Sequence, residues 1–168
     1  MTKAAGIEGT SILARERGGR LRRLGMTKSD IETCCRFLSR ISVLEDPVHR
    51  RYLAGWKRPG DAGIVALDGQ RSPIGACWFR LLPSDDHGFG FVAVGVPELI
   101  LGVQPIWRAQ GLGRALLHGV IAQARAKGHS RLSLSVETGN HAVHLYRSEG
   151  FQTVADSGVR QTMVRTLH

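Results

Sequence analysis

The chain has 168 residues, 42% of them hydrophobic, which suits one domain with a real core and is short for two. The formal net charge of +9 fits a nucleic-acid partner or a polyanionic small molecule equally well. No apolar run is long enough to span a bilayer, and the N-terminus lacks the apolar centre of a signal peptide, so we expect a cytoplasmic protein without a membrane partner.

Cysteines and early charges set two further expectations. The three cysteines, Cys34, Cys35 and Cys77, fit neither an even disulfide framework nor a zinc-ligand spacing, so we expect reduced thiols and no metal site. Arginines cluster near the N-terminus beside two adjacent glycines. We interpret residues 1–19 as a flexible basic leader and residues 20–168 as a single domain.

The first half of the chain predicts two helices and a meander. A short strand is expected near residues 20–24, followed by a helix that opens with Thr27 as its N-cap. A weaker helical segment covers residues 47–56 and ends in the turn RPGD. Four β-prone runs follow, which predict three or four mostly antiparallel strands: AGIVALDG, SPIGACWFRLLP, HGFGFVAVG and PELILGV.

From Glu98 onward the pattern becomes strand, helix, strand. ELILGV leads through a loop to a helix over residues 111–127 and then to the strand RLSLSVE. Since a crossover helix joins parallel strands, these two strands should run parallel. A helix over residues 140–148 and two closing strands complete the prediction, a mixed α/β sheet of six or seven strands with about four helices.

The stretch RAQGLG, residues 108–113, places two glycines at the start of the long helix. The first N–H groups of a helix lack internal partners and lie at the positive end of its dipole, so they can bind an anion. Gly111 and Gly113 leave this backbone uncovered, and Arg108 and Arg114 add positive charge. We therefore expect a phosphate site at this loop.

Two other phosphate-binding loops do not fit the sequence. A P-loop requires GxxxxGK followed by Ser or Thr, a string that the chain lacks. A dinucleotide fingerprint begins almost directly after its strand, whereas seven residues separate Val103 from Gly111. Leu116 also occupies the position of that fingerprint's third glycine.

The pattern Arg/Gln-x-x-Gly-x-Gly/Ala at residues 108–113 stands between ELILGVQP and NHAVHLYRSEGF. In this order and at these distances the three motifs resemble the GNAT superfamily of acetyl-CoA-dependent N-acetyltransferases, from about Leu21 to the C-terminus. The resemblance implies the GNAT fold, acetyl-CoA as the cofactor, and residues 20–168 as one acetyltransferase domain.

The resemblance also implies which residues bind the coenzyme. The fourth strand of the family pairs with the pantetheine arm, which implies Leu101, Gly102 and Val103, and a β-bulge at Gly102 is compatible with that role. The loop of the family binds the pyrophosphate, which implies the residues Arg108, Ala109, Gln110, Gly111, Leu112 and Gly113, with Arg114 beside them.

The motif Leu-Tyr-x-x-x-Gly-Phe at residues 145–151 implies that Tyr146 contacts the coenzyme and is the general acid for the leaving thiolate. Because a phenol has a higher pKa than a thiol, about 10 against about 8.5, we expect a donated hydrogen bond. Burial for packing is the alternative. Asn140 is also implied as a coenzyme contact, but it lies one residue closer to Tyr146 than is usual, so a helix N-cap is an equal alternative.

The acceptor amine must lose a proton, for which a general base is useful. Glu98 matches the place where many family members keep a catalytic glutamate, and Glu137, at the end of the next strand, is the substitute. An ordinary surface carboxylate is the alternative for Glu98. His118, His141 and His144 are interpreted as solvated surface groups.

The leading hypothesis is an enzyme that transfers an acetyl group from acetyl-CoA to a small-molecule or peptide amine, by direct attack in a ternary complex. A non-catalytic acyl-CoA-binding sensor or scaffold is the alternative. No recognition helix or aromatic platform supports a nucleic-acid partner, so none is expected. The identity of the acceptor and the oligomeric state stay open, with a homodimer as one option.

Overall fold

A computed structural model gives the fold and describes residues 20–23, 29, 47–56 and 58–168. The described part of the chain contains a seven-stranded sheet in the order β1-β2-β3-β4-β5-β7-β6. Its strands are β1 (Arg20–Arg23), β2 (Ala62–Leu67), β3 (Pro73–Arg80), β4 (Glu98–Val103), β5 (Arg131–Glu137), β6 (Gln152–Asp156) and β7 (Arg160–Thr166). The helices are α1 (Pro47–Arg51), α2 (Leu112–Ala126) and α3 (Ala142–Ser148), with a 3₁₀ turn at Pro105–Trp107.

The mixed α/β sheet is confirmed, and its seven strands agree with the predicted six or seven. The three helices found in the described residues are fewer than the predicted four. Of the helix expected to open at Thr27, only Ser29 is described, and it is helical. The leader at residues 1–19 and the pair Cys34 and Cys35 lie outside the described residues. In the described segments, no helix has both the length and the apolar composition that crossing a bilayer requires.

Three of the four β-prone runs form strands, as three or four were predicted, but HGFGFVAVG does not: residues 81–97 join β3 to β4 without any strand. β3 already pairs with β2 on one side and β4 on the other, so neither of its edges is open to this segment. The amides of Gly88 and Gly90 bond the Glu98 carboxylate instead, and the amide of Phe89 bonds the Tyr52 hydroxyl. Side chains thus satisfy donors that a strand would pair.

The sheet has a core on each face, as the alternation along β3 shows. Cys77 and Phe79 belong to one cluster, while Ala76 and Trp78 belong to the other. The larger cluster is covered by α2, whose buried residues recur at spacings of three and four: Leu116, Leu117, Val120, Ile121 and Ala124. The smaller cluster includes Tyr52, just after α1, and so places that end of α1 on the opposite face.

β4 and β5 run parallel as predicted, but only Glu98 and Ser133 are paired across them. Beyond that pair, residues 99–103 and 134–137 have no register partners in each other's strand. The other edge of β4 pairs with β3, and the other edge of β5 pairs with β7. The sheet therefore splits into a wedge-shaped opening whose sides are the facing edges of β4 and β5, and whose narrow end is Glu98.

Candidate active site

The loop that leads from β4 into α2 has two left-handed backbone positions. Gly111 is the N-cap of α2 with φ of 81°, and Ala109 has φ of 56°. This conformation is accessible to glycine, whereas it costs an alanine about 1–2 kcal/mol. Within the described residues, the N–H groups of residues 109–114 have no hydrogen-bond acceptor. The loop therefore presents a row of unused donors at the positive end of a helix, as an anion site requires.

Gly113 faces the interior rather than the loop surface. A Cβ at this position would lie 3.4 Å from Leu145 Cδ2 and 3.7 Å from Leu101 Cδ2, which are ordinary contacts. Gly113 therefore borders the contact of α2 with α3 and β4. The space for an anion next to the loop amides therefore depends on the left-handed turn at Gly111, and not on Gly113.

The two arginines of the motif already have partners in the protein. Arg108 Nε donates to Val103 O at 3.0 Å, which ties the loop to the end of β4. Arg114 pairs with the Glu149 carboxylate and donates to the Ser148 hydroxyl at 3.1 Å. His118 bonds the same carboxylate at 2.6 Å, so Glu149 links α2 to the end of α3.

Tyr146 on α3 has a buried ring that packs edge-on against Phe151, with 5.8 Å between the ring centroids. Burial raises the pKa of Tyr146, and the nearby thiol of Cys77 raises it further. Since Cys77 stands opposite Leu101 in the β3–β4 ladder, Tyr146 lies beside the part of β4 that borders the opening. Its hydroxyl has no hydrogen-bond partner in the part of the chain described, so it can donate to a ligand.

Glu98 lies at the narrow end of the opening, with a side chain that is almost completely enclosed. Its residue is 1% exposed. Oε1 accepts from the Tyr52 hydroxyl at 2.9 Å and from Gly90 N at 2.8 Å, and Oε2 accepts from Gly88 N at 3.0 Å. Three of about four acceptor sites of the carboxylate are therefore occupied within the protein.

Other predicted polar groups lie at the surface. Glu137 is exposed and bonds Arg160 at 3.3 Å, while the Arg160 guanidinium lies 4.1 Å from the ring centroid of Phe89. Asn140 Oδ1 accepts from Ala142 N at 2.9 Å just before α3, whose N-cap position is held by His141 without a side-chain cap bond. His141 and His144 are exposed.

Two site residues were missed by the sequence analysis, Tyr52 and Ser135. Tyr52 meets Glu98 across 46 positions of sequence, and no local motif surrounds it. Ser135 lies on β5, two positions beyond Ser133, and within the described residues its buried hydroxyl lacks a hydrogen-bond partner. One signal was available: Gly88 and Gly90 interrupt a β-prone run, and glycines inside such a run indicate close approach of another backbone or group.

Among the described residues no metal centre is found, and the cavity beside α1 lies apart from the opening. In the ranges that the structure describes, no group of three or more His, Cys, Asp or Glu side chains is placed to hold a metal ion. A cavity of about 330 Å³ beside α1 shares no lining residue with the opening between β4 and β5; it is lined by Pro47, Arg50, Arg51, Ala54, Arg58, Leu82 and Asp86.

Comparison with known proteins bears on the same region. A family model described as the acetyltransferase (GNAT) family matches residues 29–151. The mycothiol acetyltransferase of Propionibacterium freudenreichii subsp. shermanii is 32% identical over 115 residues, which cover 68% of this chain and 35% of that protein. The chain thus spans about a third of the length of this relative.

Two solved structures have a similar fold. An acetyltransferase of the GNAT family from Staphylococcus aureus Mu50 has a TM-score of 0.67 at 14% identity, covering 89% of this chain and 99% of that one. The protein yncA from Salmonella typhimurium, in a structure with its cofactor acetyl-CoA, has a TM-score of 0.66 at 23% identity, covering 89% and 94%. At these identities the likeness establishes the fold alone.

Proposed function

This chain belongs to the GNAT acetyltransferase family, and from that premise we propose that it transfers an acetyl group from acetyl-CoA to a primary amine in a ternary complex. One arrangement carries the proposal. The opening between β4 and β5 has three features: unused loop amides at the start of α2, the edge of β4 that faces β5 without register partners, and the unpartnered Tyr146 hydroxyl beside β4. A ligand with a diphosphate, an extended amide-containing arm and a sulfur atom matches these three features in turn.

The backbone of the loop and of β4 supplies most of the binding in this proposal. The amides of residues 109–113 bond the pyrophosphate, at about 1.5–3 kcal/mol for each hydrogen bond to a charged oxygen. Leu101, Gly102 and Val103 pair with the pantetheine arm, as a strand edge pairs with an extended peptide. Arg108 adds charge at the loop, while Arg114 contributes directly only by exchanging its Glu149 partner for the ligand.

Acetyl-CoA supplies the thioester that the amine attacks, so that a C–N bond forms, the C–S bond breaks and free coenzyme A leaves. Tyr146 donates its hydroxyl hydrogen to the sulfur as negative charge develops there. The proton lost by the amine goes to water or to a base. Cys77 is unsuited to carry the acetyl group, because it is fully buried and burial raises the pKa of its thiol.

The acceptor is a primary amine on a small molecule or a peptide. The relatives named mycothiol acetyltransferases make a small molecule of the mycothiol type a first candidate to test. Glu98 was the first candidate for the base, and its burial supports a different role, argued below. Glu137 is exposed and stays the substitute candidate.

Two measurements on the purified chain test the proposal. Calorimetry should detect acetyl-CoA binding, and thiol release should report turnover with at least one amine from a panel of small molecules, peptides, polyamines and aminoglycosides. Binding without release of coenzyme A for any amine would favour the sensor or scaffold alternative. Absence of acetyl-CoA binding would contradict both functions.

A further inference from the structure

Two side chains and three consecutive amides form a closed hydrogen-bond network at the narrow end of the opening. The Tyr52 hydroxyl donates to Glu98 Oε1 and accepts from Phe89 N at 2.8 Å. Glu98 accepts from the amides on both sides of Phe89, those of Gly88 and Gly90. We call this network of Tyr52, Glu98 and residues 88–90 the Tyr52–Glu98 latch.

The latch depends on glycine at both ends of the captured segment. A Cβ at Gly88 would lie 2.0 Å from the Tyr52 hydroxyl oxygen and 2.6 Å from Glu98 Oε1. A Cβ at Gly90 would lie 2.8 Å from the carbonyl carbon of Leu134, which is backbone and cannot rotate away. Gly90 therefore rests directly on β5, the strand that forms one side of the opening.

The protonation state of Tyr52 agrees with its role as the donor to Glu98. Burial raises the pKa of Tyr52, and the charge of Glu98 raises it further, so the phenol keeps the proton that it donates. A buried carboxylate is costly unless it is hydrogen-bonded, and here it has three donors. Because Glu98 is 1% exposed, neither of its carboxylate oxygens can readily contact the amine substrate.

The latched segment covers one face of the opening. Leu99 belongs to the core beneath α2, so Glu98, its neighbour along β4, points to the opposite face, where Tyr52 lies. On that face Gly90 rests beside Ser135, whose hydroxyl is buried without a partner in the described part of the chain. Phe89 extends the same segment outward and stacks under Arg160.

We propose that Glu98 is a positioning residue and not the general base: with Tyr52 it holds residues 88–90 as the acceptor-side wall of the opening. The proposal rests on the proposed function. Because α2 and α3 fill the other face, an amine reaches the thioester from the latched face and passes this wall. The latch therefore governs acceptor binding, while coenzyme binding depends on the loop at Gly111.

Three variants test the latch: Tyr52→Phe removes one hydroxyl, Glu98→Gln removes the charge, and Gly90→Ala displaces the segment from β5. With the best amine of the panel, we expect each variant to raise the acceptor KM about tenfold, the size of effect that one or two lost hydrogen bonds produce. The Kd for acetyl-CoA should stay within about twofold of the wild-type value. The pH profile of kcat should keep its shape in Glu98→Gln.

A catalytic base predicts the opposite pattern. Loss of the base lowers kcat by about 10²–10⁴ and removes the corresponding limb of the pH profile. That result for Glu98→Gln, with Gly90→Ala close to wild type, would overturn the proposal. Thermal unfolding of each variant shows whether it folds, and Tyr52→Phe, which keeps the ring, is the mildest of the three.

Hydrogen exchange tests the latch independently of turnover. The amides of residues 88–90 should exchange at least tenfold faster in Tyr52→Phe than in wild type, while amides of α2 keep their rates. Unchanged exchange at residues 88–90 would contradict the latch even in an active enzyme. Faster exchange in Tyr52→Phe, when the wild-type protein acetylates no amine of the panel, would uphold the latch and contradict only the proposed function.

Discussion

The chain has two tyrosines, and their hydroxyl groups differ in one respect that decides their roles. Tyr52 donates to Glu98 and accepts from Phe89, so its hydroxyl is used within the protein. Tyr146 is equally buried as a ring, but its hydroxyl has no partner among the described residues. Replacing each with phenylalanine removes one oxygen atom and should therefore change different kinetic constants.

We predict that Tyr146→Phe lowers kcat by about 10²–10³, because the leaving sulfur loses a hydrogen-bond donor. The Kd for acetyl-CoA and the unfolding temperature should change little, since the ring and its contact with Phe151 remain. Steady-state kinetics and calorimetry check this. An unchanged kcat would assign Tyr146 to packing alone.

Gly111 and Gly113 provide a matched pair at the coenzyme loop. We predict that Gly111→Ala weakens acetyl-CoA binding about tenfold or more, because φ of 81° strains an alanine and the loop amides turn away. Gly113→Ala is the control, since its added Cβ would make only ordinary contacts. Equal losses of affinity in calorimetry would contradict a conformational role for Gly111.

Residues with local motifs were predictable from the sequence, and residues with distant partners were not. Tyr146 and the loop glycines stand in strings that indicate their position in a helix or a turn. Tyr52 acquires its role from Glu98, which lies 46 positions away in the sequence. The bond from Ala142 N to Asn140 Oδ1 is an intermediate case, because it joins residues two positions apart, a local geometry that sequence can indicate.

Among the elements, the end of α1 and the turn after it are connected to β3 by a buried arginine. Arg80 on β3 is completely buried and holds Asp61 with two bonds, at 3.0 and 2.9 Å. The same guanidinium donates to the carbonyls of Arg51, Ala54 and Gly55, which end α1 and its turn. Arg80 thus supplies donors to carbonyl groups at and just beyond the end of α1.

We predict that Asp61→Asn lowers the free energy of unfolding by about 3 kcal/mol, because it leaves a buried guanidinium without its counter-charge. Asp86→Asn is the control, since Asp86 pairs with Arg51 at the surface and should contribute less than about 1 kcal/mol. Urea titration measures both. Equal effects of the two substitutions would contradict a special role for the Arg80–Asp61 pair.

Elements with strong periodicity were predicted well, and the segment between β3 and β4 was not. α2 was expected over residues 111–127 and runs from Leu112 to Ala126, with Gly111 and Lys127 as its caps. HGFGFVAVG has the composition of a strand, but its amides bond Tyr52 and Glu98. Composition reports the preference of a segment, whereas pairing depends on which edges the rest of the sheet leaves free.

At the scale of the whole molecule, the free energy of unfolding should fall as the pH becomes alkaline. Burial raises the pKa of the Cys77 thiol far above its ordinary value of 9.0, so the folded chain keeps a proton that the unfolded chain loses. This contribution to stability is complete below about pH 9 and falls as the pH rises, by about 1.4 kcal/mol per pH unit. The two buried tyrosines add to the decline above about pH 10.

Urea unfolding of wild type and Cys77→Ala between about pH 8 and 10 checks this expectation. The variant should be less stable at neutral pH, because it loses buried volume, and its stability should fall less steeply above about pH 9. Parallel curves for the two proteins would show that Cys77 is not the group responsible.

The fold class itself could be predicted from the sequence, since the order of strands and helices specifies a mixed sheet.

The single register pair between Glu98 and Ser133 also makes the molecule mechanically uneven. One part of the molecule, β1 to β4 with α1, and the other, β5 to β7, are each held together by several antiparallel register pairs. A single register pair, at the seam between β4 and β5, joins the two parts. Under tension applied across that seam, the two parts should separate at low force before either ruptures. A ligand bound between β4 and β5 would contact both parts and hold them together. The force at which they separate in single-molecule pulling should therefore rise when acetyl-CoA is added.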